Sequence, residues 1–103
     1  MPPGTSISGM KALTESELAV FLGEEPLWML ADGKLLREWR FTDFGAAMAF
    51  VNRVAAVAEE AGHHPDIDVR YNRVRLGMVT HDAGGITKRD ADMAKRFSRE
   101  FPH

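Results

Sequence analysis

Apolar positions along the chain alternate between two periods. Near the N-terminus Leu18, Phe21 and Leu22 recur at helical spacing. Thr14 stands just before them with Glu17 three residues on, the signature of a capping box, and Gly23 offers a stop. Glu24-Glu25-Pro26 then breaks the helix. Two runs follow, Leu27 to Ala31 and Lys34 to Phe41, separated by Asp32-Gly33. Asp-Gly between apolar runs predicts a tight hairpin, because both residues tolerate positive φ. In the second run Leu35, Arg37, Trp39 and Phe41 share one face, and Leu36, Glu38 and Arg40 share the other. The first set is the core face. Arg37 is its exception and belongs near a strand edge or against a partner.

Asp43 can cap the next helix, Phe44 to Ala61, and Gly62 ends it. This helix has two adjacent apolar stripes: Phe44, Met48, Val51 and Ala55, then Phe50, Val54, Val57 and Ala61. Together they are wider than one sheet covers, so the pattern predicts burial against a second subunit as well. A second hairpin follows, Ile67 to Tyr71 and Arg73 to Thr80, with Asn72 as the residue suited to a left-handed turn. Val74, Leu76 and Met78 face one side, Arg75, Gly77, Val79 and His81 the other, and His81 ends the strand. Asp82-Ala83-Gly84-Gly85 reads as a loop. Thr87 and Asp90 form another capping box, opening a helix to about Phe101 whose apolar side is Ile86, Met93, Ala94 and Phe97. The order helix, hairpin, helix, hairpin, helix predicts an α+β fold. Its four-stranded antiparallel sheet carries three helices on one face, in the order α-β-β-α-β-β-α.

Length changes this picture little: 103 residues make one domain, 10–103, with a small core that oligomerisation would support. Met1 to Gly9 is rich in Pro, Gly and Ser without an apolar stretch, which reads as a flexible tail and not a secretory signal. A net charge of −2 argues against a general nucleic-acid binder, since there is no cationic excess to neutralise phosphates. Cysteine is absent, which excludes disulfides and thiolate chemistry. No apolar run reaches membrane-spanning length.

Three of the four histidines fall where regular elements stop: His63 and His64 after the long helix, and His81 after the last strand. Side chains at such ends project into clefts. The helix C-terminus favours imidazolium. Glu59 lies four residues before His63, and Glu60 four before His64, so either carboxylate could orient a ring. For Glu60 an ordinary solvated role is the better reading. Pro65 holds His64 extended. The cluster could hold a metal or move protons. Neither H-x-x-x-H nor H-x-H spacing is present, so the metal reading ranks last. Proton transfer needs only groups that titrate near neutrality around a substrate. Asp90, as the capping acid, has a structural role first.

At these residues the sequence resembles the pterin-4a-carbinolamine dehydratase family. The resemblance rests on Glu59, His63-His64-Pro65, Tyr71, His81 and Asp90 at the family's spacing. It extends to Trp28, Arg40 to Phe44, Arg53-Val54-Ala55, Tyr71 to Val74 and Thr80 to Gly85. It implies a cytoplasmic hydro-lyase that removes water from 4a-hydroxytetrahydropterin to give quinonoid dihydropterin, recycling a pterin cofactor. It implies no metal, no prosthetic group, and a homodimer or homotetramer; charge and hydropathy already argue against a nucleic-acid or membrane partner. Carried over, His63 and His81 are acid/base groups, His64 holds the pterin, Glu59 orients the pair, and Asp90 supports it. Gly62, His63, His64, Pro65, Val79, Thr80, His81 and Asp82 would line the ring site. Ile67 departs from the Trp that relatives often carry. The competing expectation is a non-catalytic dimerisation or assembly-chaperone module on the same fold.

Overall fold

The computed structural model describes residues 11–102, so the tail expected over residues 1–9 lies outside the described residues. The elements are α1 (Glu15–Glu24), β1 (Met29–Ala31), β2 (Lys34–Arg40), α2 (Phe44–Ala61), β3 (Asp66–Arg70), β4 (Arg73–Met78), a 3-10 turn (His81–Ala83) and α3 (Lys88–Glu100). The four strands form one antiparallel sheet in the order β1-β2-β4-β3, with the helices on one face.

Local chemistry sets each boundary. Thr14 and Glu17 form the expected reciprocal cap of α1. Gly23 does not stop that helix, which runs on to Glu24 with Glu25 as its cap. A helix ends where its backbone groups find other partners, and here the Glu25 N–H still reaches Phe21 O at 2.8 Å. Asp32 and Gly33 both adopt positive φ, 55° and 73°, the backbone of a type I′ hairpin. In the second hairpin the left-handed residue is Tyr71, at φ 53°, and not Asn72. Asn72 instead brackets Phe41 with its amide and its carbonyl: Asn72 Nδ2 donates to Phe41 O at 2.9 Å, and Phe41 N donates to Asn72 O at 2.8 Å.

The core lies between the sheet and the helices. Leu35, Trp39, Val74, Leu76 and Met78 of the sheet meet Phe50 and Val54 of α2 and Met93 and Phe97 of α3, all buried. Trp39 packs edge-on against Trp28 with centroids 5.9 Å apart, and its Nε1 donates to Phe101 O at 2.9 Å. Each indole thus gives its ring to the core and its N–H to α3 or its end, Trp28 donating to Ser98 Oγ at 2.8 Å.

Arg37 corrects an expectation. It sits on an inner strand, buried, rather than at an edge. Its guanidinium lies 4.2 Å from the centroid of the Trp39 ring and donates to Ser98 Oγ at 2.9 Å and Pro102 O at 3.0 Å. It therefore anchors the C-terminal end of α3 to β2. Burial lowers its pKa, and Glu25 partly offsets this.

Candidate active site

Three chain reversals bring the histidines together. At the end of α2, Gly62 takes the left-handed conformation at φ 67°. His63 N donates to Ala58 O at 3.2 Å and Gly62 N to Glu59 O at 3.3 Å, the two bonds of a Schellman motif. The turn takes His63 and His64 off the helix. The four-residue spacing to the glutamates therefore no longer decides who meets whom.

The second reversal follows β4. The strand ends at Met78, short of the expected Thr80, and His81 opens a 3-10 turn instead of ending the strand. Thr80 and Gly85 form an isolated bridge, Thr80 N to Gly85 O at 3.0 Å, which closes the base of the loop. Gly84, at φ 72°, supplies the bend. The closed base leaves His81 on an exposed tip. The third reversal is the start of α3, where Thr87 caps and Asp90 points back.

The two adjacent rings have opposite environments. His63 is buried, and its Nε2 lies 2.6 Å from Oδ1 of Asp90, which is wholly buried. The other oxygen of Asp90 accepts from Thr87 N at 2.9 Å and from Thr80 Oγ1 at 2.7 Å. Asp90 is therefore both the capping acid and the partner of a histidine. His64 is exposed, and its Nε2 lies 2.5 Å from Glu59 Oε2, in solvent. Glu60 instead pairs with Arg96 of α3. The expectation that Glu59 orients both rings thus divides: Glu59 meets His64, and Asp90 meets His63.

A cleft of about 240 Å³ lies between these segments. His63, His64 and His81 line it together with Gly62, Val79, Thr80 and Asp82. Its size is below the roughly 300–1,000 Å³ of drug-sized sites and suits a small fused ring. Pro65, Glu59 and Asp90 do not line it. Arg89 does, and its Nη2 donates to Gly62 O at 2.7 Å, tying α3 to the turn that carries the histidine pair. The sequence reading missed Arg89 and saw Thr87 only as a helix cap. An arginine in the first turn of a helix looks like a solvated residue, and nothing local says that its partner lies 27 positions away. A larger hollow of about 440 Å³ between α2 and the chain end is lined by Phe41, Phe50, Arg53 and Phe101, with no histidine. Among the described residues, no three His, Cys, Asp or Glu side chains are grouped to hold a metal ion. No described helix is long and apolar enough to cross a membrane.

Known proteins share the sequence and the fold of this chain. The family profile described as pterin 4 alpha carbinolamine dehydratase matches residues 11–100. A protein of Acidobacterium capsulatum, provisionally named a pterin-4-alpha-carbinolamine dehydratase, is 58% identical over 82% of this chain and 92% of its own. A Chloroflexus aurantiacus protein of the same provisional name is 53% identical over 82% of this chain and 91% of its own. Among solved structures, a crystal structure from Brucella melitensis titled transcriptional coactivator/pterin dehydratase superposes with a TM-score of 0.79. It is 35% identical and covers 86% of this chain and 97% of that one. With a profile match across nearly all the described residues and relatives above half identity, this chain is a member of the pterin 4 alpha carbinolamine dehydratase family, a family of hydro-lyases.

Proposed function

We propose that the cleft takes a 4a-hydroxytetrahydropterin and expels the C4a hydroxyl as water, giving quinonoid dihydropterin. The reaction needs one proton delivered to the leaving hydroxyl and one removed from a ring N–H, with no net proton change. Two imidazoles of opposite protonation on the two sides of the ring can do both. His63 and His81 take these roles, coming from two distant segments, and His64 holds the pterin. The observation that carries the reading is the convergence of three imidazoles from two distant segments on one ring-sized cleft. Gly62, Val79, Thr80 and Asp82 complete the lining against which the pterin ring would lie. Pro65 contributes by restricting His64. Glu59 and Asp90 act through the rings they meet. In the cell this activity would return the pterin to a cofactor cycle in the cytoplasm. The test is ultraviolet stopped-flow dehydration of the 4a-carbinolamine; a rate no faster than the uncatalysed one ends the reading.

A second copy of the chain is part of the proposal. The core stripe of α2 is Ala47, Phe50, Val54 and Ala58, while Phe44 on the outer stripe is 51% exposed. Apolar residues left uncovered along a helix suit a homodimer or homotetramer. The same surface would serve the competing reading, a dimerisation module, which gains support from the Brucella melitensis relative, described as a transcriptional coactivator/pterin dehydratase. The enzyme reading ranks first, because a module has no use for the buried His63–Asp90 pair.

A further inference from the structure

Asp90 is completely buried, and each of its polar partners beyond His63 is a donor. Oδ2 receives the Thr87 backbone N–H and, at 2.7 Å, the Thr80 hydroxyl. A threonine hydroxyl has one proton. If Thr80 spends it on Asp90, the 2.9 Å contact between Thr80 Oγ1 and Thr87 Oγ1 must be donated by Thr87. The Asp90 backbone N–H donates to Thr87 O at 3.0 Å, so it leaves the Thr87 hydroxyl proton free for Thr80. Thr87 Oγ1 also lies 3.4 Å from Oδ2, a longer path than the one through Thr80. Every proton in the network is then allotted in one direction: Thr87 to Thr80, Thr80 to Asp90. Thr87 is wholly buried and Thr80 nearly so, so water does not compete for these protons.

We infer that Thr80 and Thr87 are positioning residues that fix the chemistry of His63. Their donation to Oδ2 keeps Asp90 an acceptor-only carboxylate. The remaining oxygen, Oδ1, must then accept from His63 Nε2–H at 2.6 Å. That assigns the ring: Nε2 keeps its proton throughout, and Nδ1 is the nitrogen that exchanges a proton with the substrate. Without the Thr80 hydroxyl, Asp90 has a vacant lone pair on Oδ2 in a dry site. The carboxylate can then rotate, and the ring loses its fixed tautomer. Thr80 thus serves the cleft twice, as one of its lining residues and through its hydroxyl on Asp90.

This rests on the dehydratase reading for its kinetic arm only; the tautomer can be read without substrate. The experiment uses the full chain with ¹⁵N-labelled histidine, as wild type, Thr80→Val and Thr80→Ser. Nitrogen–proton correlation spectra of the wild type should show His63 with Nε2 protonated and Nδ1 bare in the neutral ring. Thr80→Val should lower kcat by about tenfold, with KM within about twofold, the loss of one charge-assisted bond. It should also mix the His63 tautomers. Thr80→Ser, which keeps the hydroxyl, should restore both kcat and the single tautomer. A wild-type His63 protonated at Nδ1, a Thr80→Val enzyme with unchanged kcat and spectrum, or a serine variant as impaired as the valine overturns the inference. If Thr80→Val does not fold, the wild-type spectrum and Thr80→Ser decide it alone. An inactive wild type with the assigned tautomer removes the dehydratase reading and leaves this one standing.

Discussion

His63 Nε2 and Asp90 Oδ1 lie 2.6 Å apart across 27 residues of sequence, with the aspartate wholly buried and the imidazole nearly so. One carboxylate thereby joins the end of α2 to the start of α3. Its first oxygen orients a histidine, and its second closes the capping box. Replacing Asp90 by Asn keeps the size but puts an amide donor among donors. Turnover should fall about a hundredfold, as for loss of an oriented acid/base group. Stability should fall by about 1–3 kcal/mol, the cost of an unsatisfied buried polar group. Stopped-flow kinetics and urea unfolding measure the two effects separately.

The exposed pair should behave differently. His64 and Glu59 meet in solvent, where an ion pair contributes at most about 1 kcal/mol. Glu59→Gln is therefore expected to leave the unfolding midpoint in place. His64→Ala should also leave the fold intact, since a 60% exposed side chain adds little packing, yet reduce kcat/KM by about a hundredfold. Circular dichroism melts alongside the dehydration assay would show whether activity and stability separate in this way.

Gly62 occupies the left-handed region at φ 67° with open space where a Cβ would go. Gly62→Ala therefore meets no clash and costs only the backbone strain, about 1–2 kcal/mol. Because this turn also carries His63, activity should fall with stability. An alanine variant as stable as wild type in urea would contradict the strain argument.

Tyr71 tests the converse. It matches the family pattern, but it sits at the tip of the β3–β4 hairpin, 66% exposed and at φ 53°. β3 starts beside the histidine turn and runs away from it, so Tyr71 is at its far end. Asn tolerates this conformation better than a bulky residue. Tyr71→Asn should raise stability by about 0.5–1 kcal/mol and leave kcat unchanged. A marked loss of turnover would mean that the hairpin tip reaches the substrate in some assembly.

Phe44→Glu addresses the outer stripe of α2. Light scattering of the wild type at micromolar concentration should report more than one chain per particle, and the variant should shift to the monomer. A wild type that already scatters as a monomer would remove the second copy.

Much of the fold was legible because its signals are local. Thr14 with Glu17, Asp43, Thr87 with Asp90, and Asp32-Gly33 each act within four residues, and each works as read. Alternation in β2 identified the core face, including Leu35 and Trp39. Failures came where a distant partner overrode a local preference. Asn72 gave up the left-handed position while bracketing Phe41, and Arg37 was drawn inward by Ser98 and Pro102. Neither partner is marked in the local sequence.

For the candidate site, residue types and spacing singled out His63, His64, His81 and Glu59, while Asp90 read first as a helix cap and entered only through the family resemblance. Chain order alone could not say which carboxylate serves which ring. Helical spacing pointed Glu59 at His63, but Gly62 ends the helix before that spacing applies. The left-handed turn sends one ring inward to Asp90 and leaves the other in water with Glu59. That assignment belongs to the tertiary structure, because it depends on where α3 begins relative to the end of α2, a distance that a list of residues does not contain.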